Sequence, residues 1–270
     1  MVTTDELMQK IREEADEISI QCEELGIDTT RHVVEGDVGL SPSRLLPYAA
    51  ERIAIAERLE ADAEVKKQGL IAIEVDGKIL RWKRGKVLDY CVFRPTFNSD
   101  EEYQKVVDDM RFATAEWSAL CGVEFLYRPE RDNDPDLELG DLAFPVIRQN
   151  GGGNTIAMAF FPNDPVDDRF VICFDGYFAD PPSFDPVGVL RHELGHVLGF
   201  RHEHIHPEAP DFFSPESTEH IHLLTDYDPQ SVMHYIGPGV GNPALQFTES
   251  DREGAVRVYG APDNDFEFAD

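Results

Sequence analysis

The most restrictive feature of this sequence is the segment His192-Glu-Leu-Gly-His-Val-Leu-Gly-Phe-Arg-His202. On an α-helix, His192 and His196 lie one turn apart and project from the same face, so both imidazoles can reach one ion. Glu193 lies too far round the helix to be a third ligand but well placed to contact a water held by that ion. Gly199 suits a left-handed residue that ends the helix and turns the chain back, so that His202 approaches as a third ligand.

Three neutral imidazoles with one open position are the ligand set of a catalytic zinc ion rather than of a closed structural site. The segment therefore predicts one Zn²⁺ held by His192, His196 and His202. In such a site the metal activates water and polarises a carbonyl, while Glu193 takes the proton and passes it to the leaving amine. The alternative is a core helix with coincidental histidines, and five fixed positions make that alternative weak.

A second motif follows downstream, Ser231-Val-Met-His-Tyr235. A long zinc motif followed by a methionine turn is the metzincin pattern. Within that clan, this motif and Phe200-Arg-His-Glu-His204 resemble the astacin family of zinc endopeptidases, with similarity over roughly residues 80–262. The resemblance implies hydrolysis of peptide bonds in peptide or protein substrates.

The resemblance also implies roles for single residues. Met233 is expected to form the hydrophobic floor beneath the metal, and Glu203 is similar to the glutamate that receives the mature N-terminus. Tyr235 is implied as a mobile fifth metal ligand that swings away to bind the oxyanion, and a phenol is a suitable donor for that purpose. Without the motif, Tyr235 would be interpreted as a half-buried aromatic residue.

The segment Thr155, Ile156, Ala157, Met158, Ala159 falls where metzincins keep the edge strand that pairs with an extended substrate. Backbone pairing at such an edge gives affinity without a demand on sequence. The family often favours acidic residues after the scissile bond. That preference is not transferred here, because the sequence identifies no pocket residue that would enforce it.

The N-terminal region contains Val34-Glu-Gly-Asp-Val38. Astacin propeptides carry a similar Phe-x-Gly-Asp segment whose aspartate ligates zinc and displaces the water. The resemblance implies that Asp37 is a metal ligand in a latent form, and the alternative is an ordinary Gly-Asp turn. Thr3 and Glu6 have capping-box spacing, and Leu7, Ile11, Ile18 and Leu25 predict a helix over 3–25. A second helix is expected over 43–66.

These observations predict an α+β protein with three segments. A helical pro-segment over residues 1–78 precedes a metzincin-like catalytic domain over 79–262, with a mixed sheet, an active-site helix and a Met-turn. An acidic tail over 263–270 ends the chain. The acidic, Asn- and Pro-rich stretch 129–141 could offer oxygen ligands to calcium, but it lacks EF-hand spacing, so a solvated loop is favoured.

Composition limits the partners. The chain has 53 Asp and Glu residues and 24 Lys and Arg residues, so its net charge is −29. This charge disfavours nucleic acid and anionic membranes as partners. We expect a monomer and no transmembrane helix. The compartment stays open: the family is usually secreted, yet no signal peptide is visible. The four cysteines lie far apart with no Cys-x-x-Cys pair, and buried thiols are favoured over disulfides. Ala261 stands where astacins usually have a cysteine that bridges to the helix carrying Cys121, so that disulfide cannot form.

Two alternative functions remain at this point. One is a catalytically silent protein that retains the zinc helix as a scaffold for binding. The other keeps the same zinc site but attacks a different amide or ester substrate. Intact Glu193 and Tyr235 disfavour the silent protein, because it has no chemical use for either residue.

Overall fold

The structure is a computed structural model that describes residues 3–34, 37–46, 49, 69–75, 77–210 and 221–262. Its N-terminal region begins with helix α1, Thr4–Glu14, whose N-terminus has the expected capping box between Thr3 and Glu6. A three-stranded antiparallel sheet follows, with strands β1 (Asp16–Cys22), β2 (Ile27–Val34) and β3 (Val38–Leu40).

The prediction of one helix over 3–25 is wrong beyond Glu14. Ile18, Ile20 and Cys22 alternate with polar residues, and this period of two is the pattern of a strand with one buried face. Pairing with β2 over the full length of β1 fixes that conformation. Over the described residues 3–34 and 37–40, the N-terminal region is therefore one helix followed by a small sheet. The second expected helix, 43–66, lies mostly outside the described residues.

A five-stranded sheet forms the centre of the larger region that follows. Its strands are β6 (Val87–Val92), β7 (Glu124–Tyr127), β8 (Phe144–Arg148), β9 (Ala157–Met158) and β10 (Val171–Cys173). Their order is β7-β6-β8-β10-β9, and only β9 runs antiparallel to its neighbour. The strand is shorter than the segment Thr155 to Ala159 that was expected to form it, but β9 does lie at the edge of the sheet.

Two long helices pack on this sheet and on each other. Helix α2, Asp100–Leu120, begins at Ser99, whose side chain accepts from the backbone of Glu102. Helix α3, Pro186–Val197, carries the zinc motif. The Trp117 indole of α2 is fully buried and donates to the Arg191 carbonyl of α3 at 2.9 Å. This contact fixes α3 against the core.

A third sheet flanks α3. Strand β4 (Gly69–Val75) pairs with β5 (Lys78–Ile79), β11 (Phe200–Arg201) and β12 (Ile221–Thr225). A chain boundary after residue 78 would cut through this sheet, because β4 lies between β11 and β12. Helix α4, Glu249–Tyr259, closes the fold with a capping box between Thr248 and Asp251.

The mixed α and β architecture is confirmed. All four cysteines are buried free thiols, as expected for a chain without the bridging partner at position 261. Within the described residues, no helix is both long and apolar enough to cross a bilayer. The acidic tail 263–270 lies outside the described residues.

Candidate metal centre and active-site cleft

Helix α3 positions the first half of the metal centre. Asp185 caps it by accepting from the Gly188 N–H at 3.0 Å, and Pro186 occupies the first helical position. His192 and His196 then lie on one face with ring centroids 5.0 Å apart. Both rings are buried, so the helix presents two imidazoles to the protein interior.

The third imidazole arrives through a reversal of the chain at Gly199. This residue has φ of 92°, and a Cβ there would lie only 2.9 Å from the Leu80 carbonyl oxygen. Glycine is therefore required both by backbone conformation and by close approach. The turn leads into β11, and His202 follows directly, fully buried beside the other two histidines.

The backbone fixes which nitrogen of each helical histidine faces the centre. His192 Nδ1 lies 2.7 Å from the Val232 carbonyl, and His196 Nδ1 lies 2.8 Å from the Phe200 carbonyl. A carbonyl accepts only, so each Nδ1 carries the proton and each Nε2 presents a lone pair. Burial lowers the pKa of His196 to about 4, which keeps this ring neutral.

These Nε2 atoms converge on His202. Its Nε2 lies 3.2 Å from that of His192 and 3.1 Å from that of His196. Three lone pairs pointed at one another repel unless a cation lies between them. Edges of this length are close to the roughly 3.3 Å expected between nitrogen ligands of a tetrahedral zinc ion. The residues present therefore fit a zinc ion, and the centre is a site for one Zn²⁺.

Asp37 completes the cluster from the N-terminal region. Its carboxylate oxygens lie 3.3 Å, 3.5 Å and 3.1 Å from the Nε2 atoms of His192, His196 and His202. The four ligand atoms all lie within 4.8 Å of one another. Among the described residues, no other His, Cys, Asp or Glu group is close enough to hold a metal ion.

The acids of the stretch 129–141 have protein partners instead. Asp132 is buried and accepts from the hydroxyls of Tyr103 and Tyr127, and Asp134 and Asp141 pair with Arg131. These contacts are those of a packed loop. They leave no arrangement of oxygens that converges on a cation within this described stretch.

Glu193 lies next to the histidines in the cleft and is only 2% exposed. Its Oε2 atom is buried and has no hydrogen-bond partner. Burial raises the pKa of this carboxyl well above its usual range, and the charge of Asp37 adds to the rise while His202 opposes it. The group is therefore a stronger base than an exposed glutamate.

The methionine turn lies under the metal centre. Met233 is fully buried, and a Cβ at Gly195 of α3 would lie 2.3 Å from its sulfur. The Tyr235 ring is half-buried, with its centroid 4.3 Å from that of His202 and 4.5 Å from that of His204. Met233 therefore packs beneath α3, and the Tyr235 ring packs against His202 and His204; their predicted roles at the metal stay predictions.

Glu203 is fully buried behind the site. Its Oε1 accepts from the Asp228 N–H at 2.8 Å, whereas its Oε2 is buried without a hydrogen-bond partner. Burial, together with Asp251 and Asp228, raises the pKa of this carboxyl well above its usual range. The free Oε2 atom of Glu203 can therefore accept a hydrogen bond or pair with a cation.

The cleft beside the metal centre has a volume of about 560 Å³. The segment Thr155 to Ala157 lines one side, and Ala159, just beyond, forms a parallel bridge with Val38 of β3. The N-terminal region therefore lies along the predicted substrate strand. Gly39 allows this approach, because a Cβ there would lie 2.1 Å from the Met158 sulfur.

Two ion pairs that hold the N-terminal region in place were not evident from the sequence. Arg31 Nη2 lies 2.6 Å from Asp168 and also lies over the Phe170 ring at 5.3 Å. Arg44 Nε lies 3.0 Å from Asp164. All four side chains are largely buried. None belongs to a motif, so spacing in the sequence contained no signal for either pair.

A further contact that was not evident from the sequence is that of Asp251, which connects α4 to the metal centre. It is fully buried and accepts from the Ser231 hydroxyl at 2.6 Å and from the Val232 N–H at 3.0 Å. The carbonyl of that same Val232 accepts from His192. Thr248 and Asp251 have capping-box spacing, but residue spacing contains no signal for the contact of Asp251 with the Met-turn.

Comparison with known proteins finds curated relatives that match parts of the chain. No protein-family model matches the chain. Zinc metalloproteinase nas-12 of Caenorhabditis elegans is 21% identical over 225 residues, which cover 78% of this chain and 48% of that protein. Bone morphogenetic protein 1 of Xenopus laevis is 36% identical over 69 residues, covering 19% of this chain and 10% of that protein.

Among solved structures, that of myroilysin is similar with a TM-score of 0.49 and 19% identity, covering 70% of this chain and 98% of that one. The chain spans at most about half the length of the curated relatives it matches. The zinc motif, the Met-turn and the two curated relatives support the resemblance of this chain to the astacin family of zinc metalloproteinases.

Proposed function

We propose that this protein is a zinc-dependent endopeptidase whose N-terminal region keeps it latent. The observation that carries the proposal is the convergence of three imidazole Nε2 atoms, in a cleft, beside the buried Glu193 carboxyl, whose Oε2 has no hydrogen-bond partner. The curated relative nas-12 is named a zinc metalloproteinase, which supports the same activity for this chain.

His192, His196 and His202 would hold the zinc ion. When bound, zinc supplies a Lewis acid that polarises the scissile carbonyl and acidifies water. Glu193 takes the proton of the attacking water at its free Oε2 and delivers it to the leaving amine. Burial raises the pKa of Glu193, which makes its carboxylate a better base toward that water.

Tyr235 is proposed to stabilise the oxyanion. Its ring lies against His202 at the mouth of the site, so a rotation of the side chain brings the phenol toward the reacting carbonyl. A hydroxyl donor aimed at developing negative charge is a common source of transition-state stabilisation. Met233 packs beneath α3 and keeps the floor of the centre apolar and dry.

The substrate is proposed to be an extended peptide. Strand β9 lies at the edge of the five-stranded sheet, and its neighbour Ala159 already pairs with a strand of the N-terminal region. An extended substrate that adds to this edge gains main-chain hydrogen bonds with little demand on sequence.

Latency is proposed to come from Asp37. The carboxylate lies against all three imidazoles, where a water would otherwise bind. Strand β3 occupies the substrate edge at the same time, so the N-terminal region blocks both the metal and the cleft. Arg31–Asp168 and Arg44–Asp164 attach this region to the loop before β10.

Activation is proposed to need cleavage before Gly69. A cut after β4 would leave that strand paired with β11 and β12, and β11 lies next to His202. The predicted pro-segment over residues 1–78 is therefore too long to be released as a unit. The resemblance assigns Glu203 to the new N-terminus, and its buried free Oε2 supports that role.

The proposal is tested with the full chain nicked by limited proteolysis and loaded with zinc. We expect cleavage of an unstructured peptide, loss of cleavage with a chelator, and recovery when zinc is returned. Glu193→Ala is the matched control, because it removes the base and no ligand: it should bind zinc fully and lose nearly all turnover. A wild-type protein that binds zinc and cleaves neither peptides nor related amides and esters would instead be the silent binding protein.

A further inference from the structure

One wall of the active-site cleft is apolar and is contributed entirely by the chain that follows the N-terminal region. Among the cavity residues that follow the N-terminal region, the large apolar side chains are Ile156, Phe184, Val189, Ile236 and Leu245; Val33 of the N-terminal region also lines the cavity. Val189 and Leu245 are almost completely buried, whereas Ile236 is 40% exposed at the mouth. The cavity therefore has an apolar interior and an accessible rim.

This wall adjoins the proposed base. Val189 precedes Glu193 by four residues on α3, so the two side chains lie on the same face of the helix, one turn apart. A substrate side chain that packs on Val189 is thus next to the Glu193 carboxylate. Because Glu193 delivers its proton to the leaving amine, the pocket lies on the side of the residue that contributes that amine.

The wall is held in a fixed shape. Leu245 has φ of 44°, a left-handed conformation that is unfavourable for a leucine. The Arg191 guanidinium holds it there by donating to the carbonyls of Ala244 and Leu245. The Asp185 N–H also donates to the Pro243 carbonyl at 3.0 Å, which ties this segment to the start of α3.

The charges around the cavity have one sign. Among the described residues that line it, neither Lys nor Arg occurs, and the acidic side chains are Asp16, Asp37 and Glu193. Asp16 and Asp37 leave with the N-terminal region, but Glu193 remains. A carboxylate that entered this pocket would lose its hydration and find no lysine or arginine among the described lining residues to replace it.

We propose that this pocket selects an uncharged apolar side chain at the residue that follows the scissile bond. The inference rests on the proposed endopeptidase function and names its substrate class. It departs from the acidic preference common among astacins, since no side chain in the wall provides the positive charge that such a preference needs. Leu245 and Val189 are the residues that determine this selectivity.

The test uses the zinc-loaded nicked chain and peptides that differ only at the residue after the scissile bond: Leu, Phe, Asp or Lys. We expect kcat/KM for Leu and Phe to exceed that for Asp by about 10–100-fold, the discrimination typical of an apolar pocket. Equal or faster cleavage at Asp, or a preference for Lys, would overturn the inference. Absence of zinc-dependent cleavage of every peptide would instead overturn the proposed function itself.

A variant at the rim tests the pocket without disturbing its buried wall. Ile236→Arg places a cation at the mouth and should lower the Leu-to-Asp ratio by about tenfold, whereas Ile236→Gln, the neutral matched control, should keep Asp disfavoured. Leu245→Ala should shift the preference from Leu toward the larger Phe. A Leu-to-Asp ratio that is the same in wild type and Ile236→Arg would show that substrate side chains bind elsewhere.

Discussion

The Asp37 carboxylate lies 3.1 Å from Nε2 of His202, the nitrogen that also faces His192 and His196. The strand that carries Asp37 reaches this point because β3 continues along the edge next to Met158 and Ala159. Carboxylate and water compete for one coordination position, and a ligand within the same chain has a high effective concentration. The intact chain should therefore be nearly inactive.

The first prediction concerns Asp37. Asp37→Ala should raise peptide hydrolysis by the intact, zinc-loaded chain by about tenfold or more, because the competing ligand is gone. Asp37→Asn keeps the size of the side chain but is a weaker neutral ligand, so its rate should be intermediate. In a zinc-loaded structure of the wild type, an Asp37 oxygen should lie roughly 2.0–2.2 Å from the metal. An Asp37 turned to solvent would contradict latency by this route.

The second prediction concerns the two buried ion pairs. Arg31→Gln and Arg44→Gln, alone or together, should raise the basal activity of the intact chain and its rate of nicking, because each removes an ion pair between the N-terminal region and the loop before β10. Loss of one member of a buried pair is strongly unfavourable, so the double variant should gain about tenfold or more in activity.

Its matched control is Arg94→Gln. Arg94 pairs with the exposed Asp100, and neither residue belongs to the N-terminal region. This variant removes an arginine without loosening the block, so its basal rate should equal that of the wild type. A gain of the same size in Arg94→Gln would attribute the effect to general destabilisation and not to release of the N-terminal region.

The third prediction concerns the third imidazole. His202→Ala should lose most zinc affinity, because two imidazoles alone hold the ion poorly, and competition with a coloured chelator measures this directly. His222→Ala is the control, since His222 lies on β12 and pairs with Glu74 away from the centre. Full zinc occupancy in His202→Ala would show that the third ligand is another residue.

The fourth prediction concerns Tyr235. Tyr235→Phe keeps the ring that packs on His202 and His204 but removes the phenol, so KM and zinc content should stay unchanged. The kcat of the nicked protein should fall by about 10²–10³-fold if the hydroxyl is a typical single oxyanion donor. An unchanged kcat would remove Tyr235 from the mechanism.

How much the sequence could predict depended on the range of the interactions. The zinc helix, its glycine turn and the Met-turn are local patterns, and the structure places His192, His196 and His202 within one cluster. Thr3 and Thr248 cap their helices as their spacing indicated. A cap or an i, i+4 pair is decided by neighbours along the chain, and the sequence shows those neighbours.

Pairing between strands that lie far apart along the chain could not be predicted from the sequence. Residues 16–22 have apolar positions compatible with either a helix or a strand, and only β2 decides the outcome. Strand β4 looked like a piece of a separate N-terminal segment because its partners β11 and β12 come well over a hundred residues later. The positive φ of Leu245 has no signature in residue type, because leucine rarely adopts that conformation.

The fifth prediction concerns Asp251, which acts on the metal centre through the backbone. Its carboxylate holds Ser231 and Val232 in the Met-turn, and the Val232 carbonyl orients His192. Asp251→Ala leaves the buried N–H of Val232 without an acceptor and should cost about 2–4 kcal/mol of unfolding free energy. It should also weaken zinc binding by about 10–100-fold, as loss of a partner that orients a ligand does.

Asp251→Asn is the matched control, because it keeps an acceptor for the backbone donors and should cost less. Because asparagine does not ionise, this variant also separates the effect of the carboxylate charge from that of the hydrogen bonds. Burial raises the pKa of Asp251 to about 6, although the hydrogen bonds from Ser231, Val232 and Thr248 lower it. The folded state therefore binds a proton more readily than the unfolded chain. The wild type should therefore gain stability from this group as the pH falls from 7 toward 4, and denaturant titrations should show no such gain in Asp251→Asn. A parallel pH dependence in both proteins would show that the buried carboxylate does not titrate in this range.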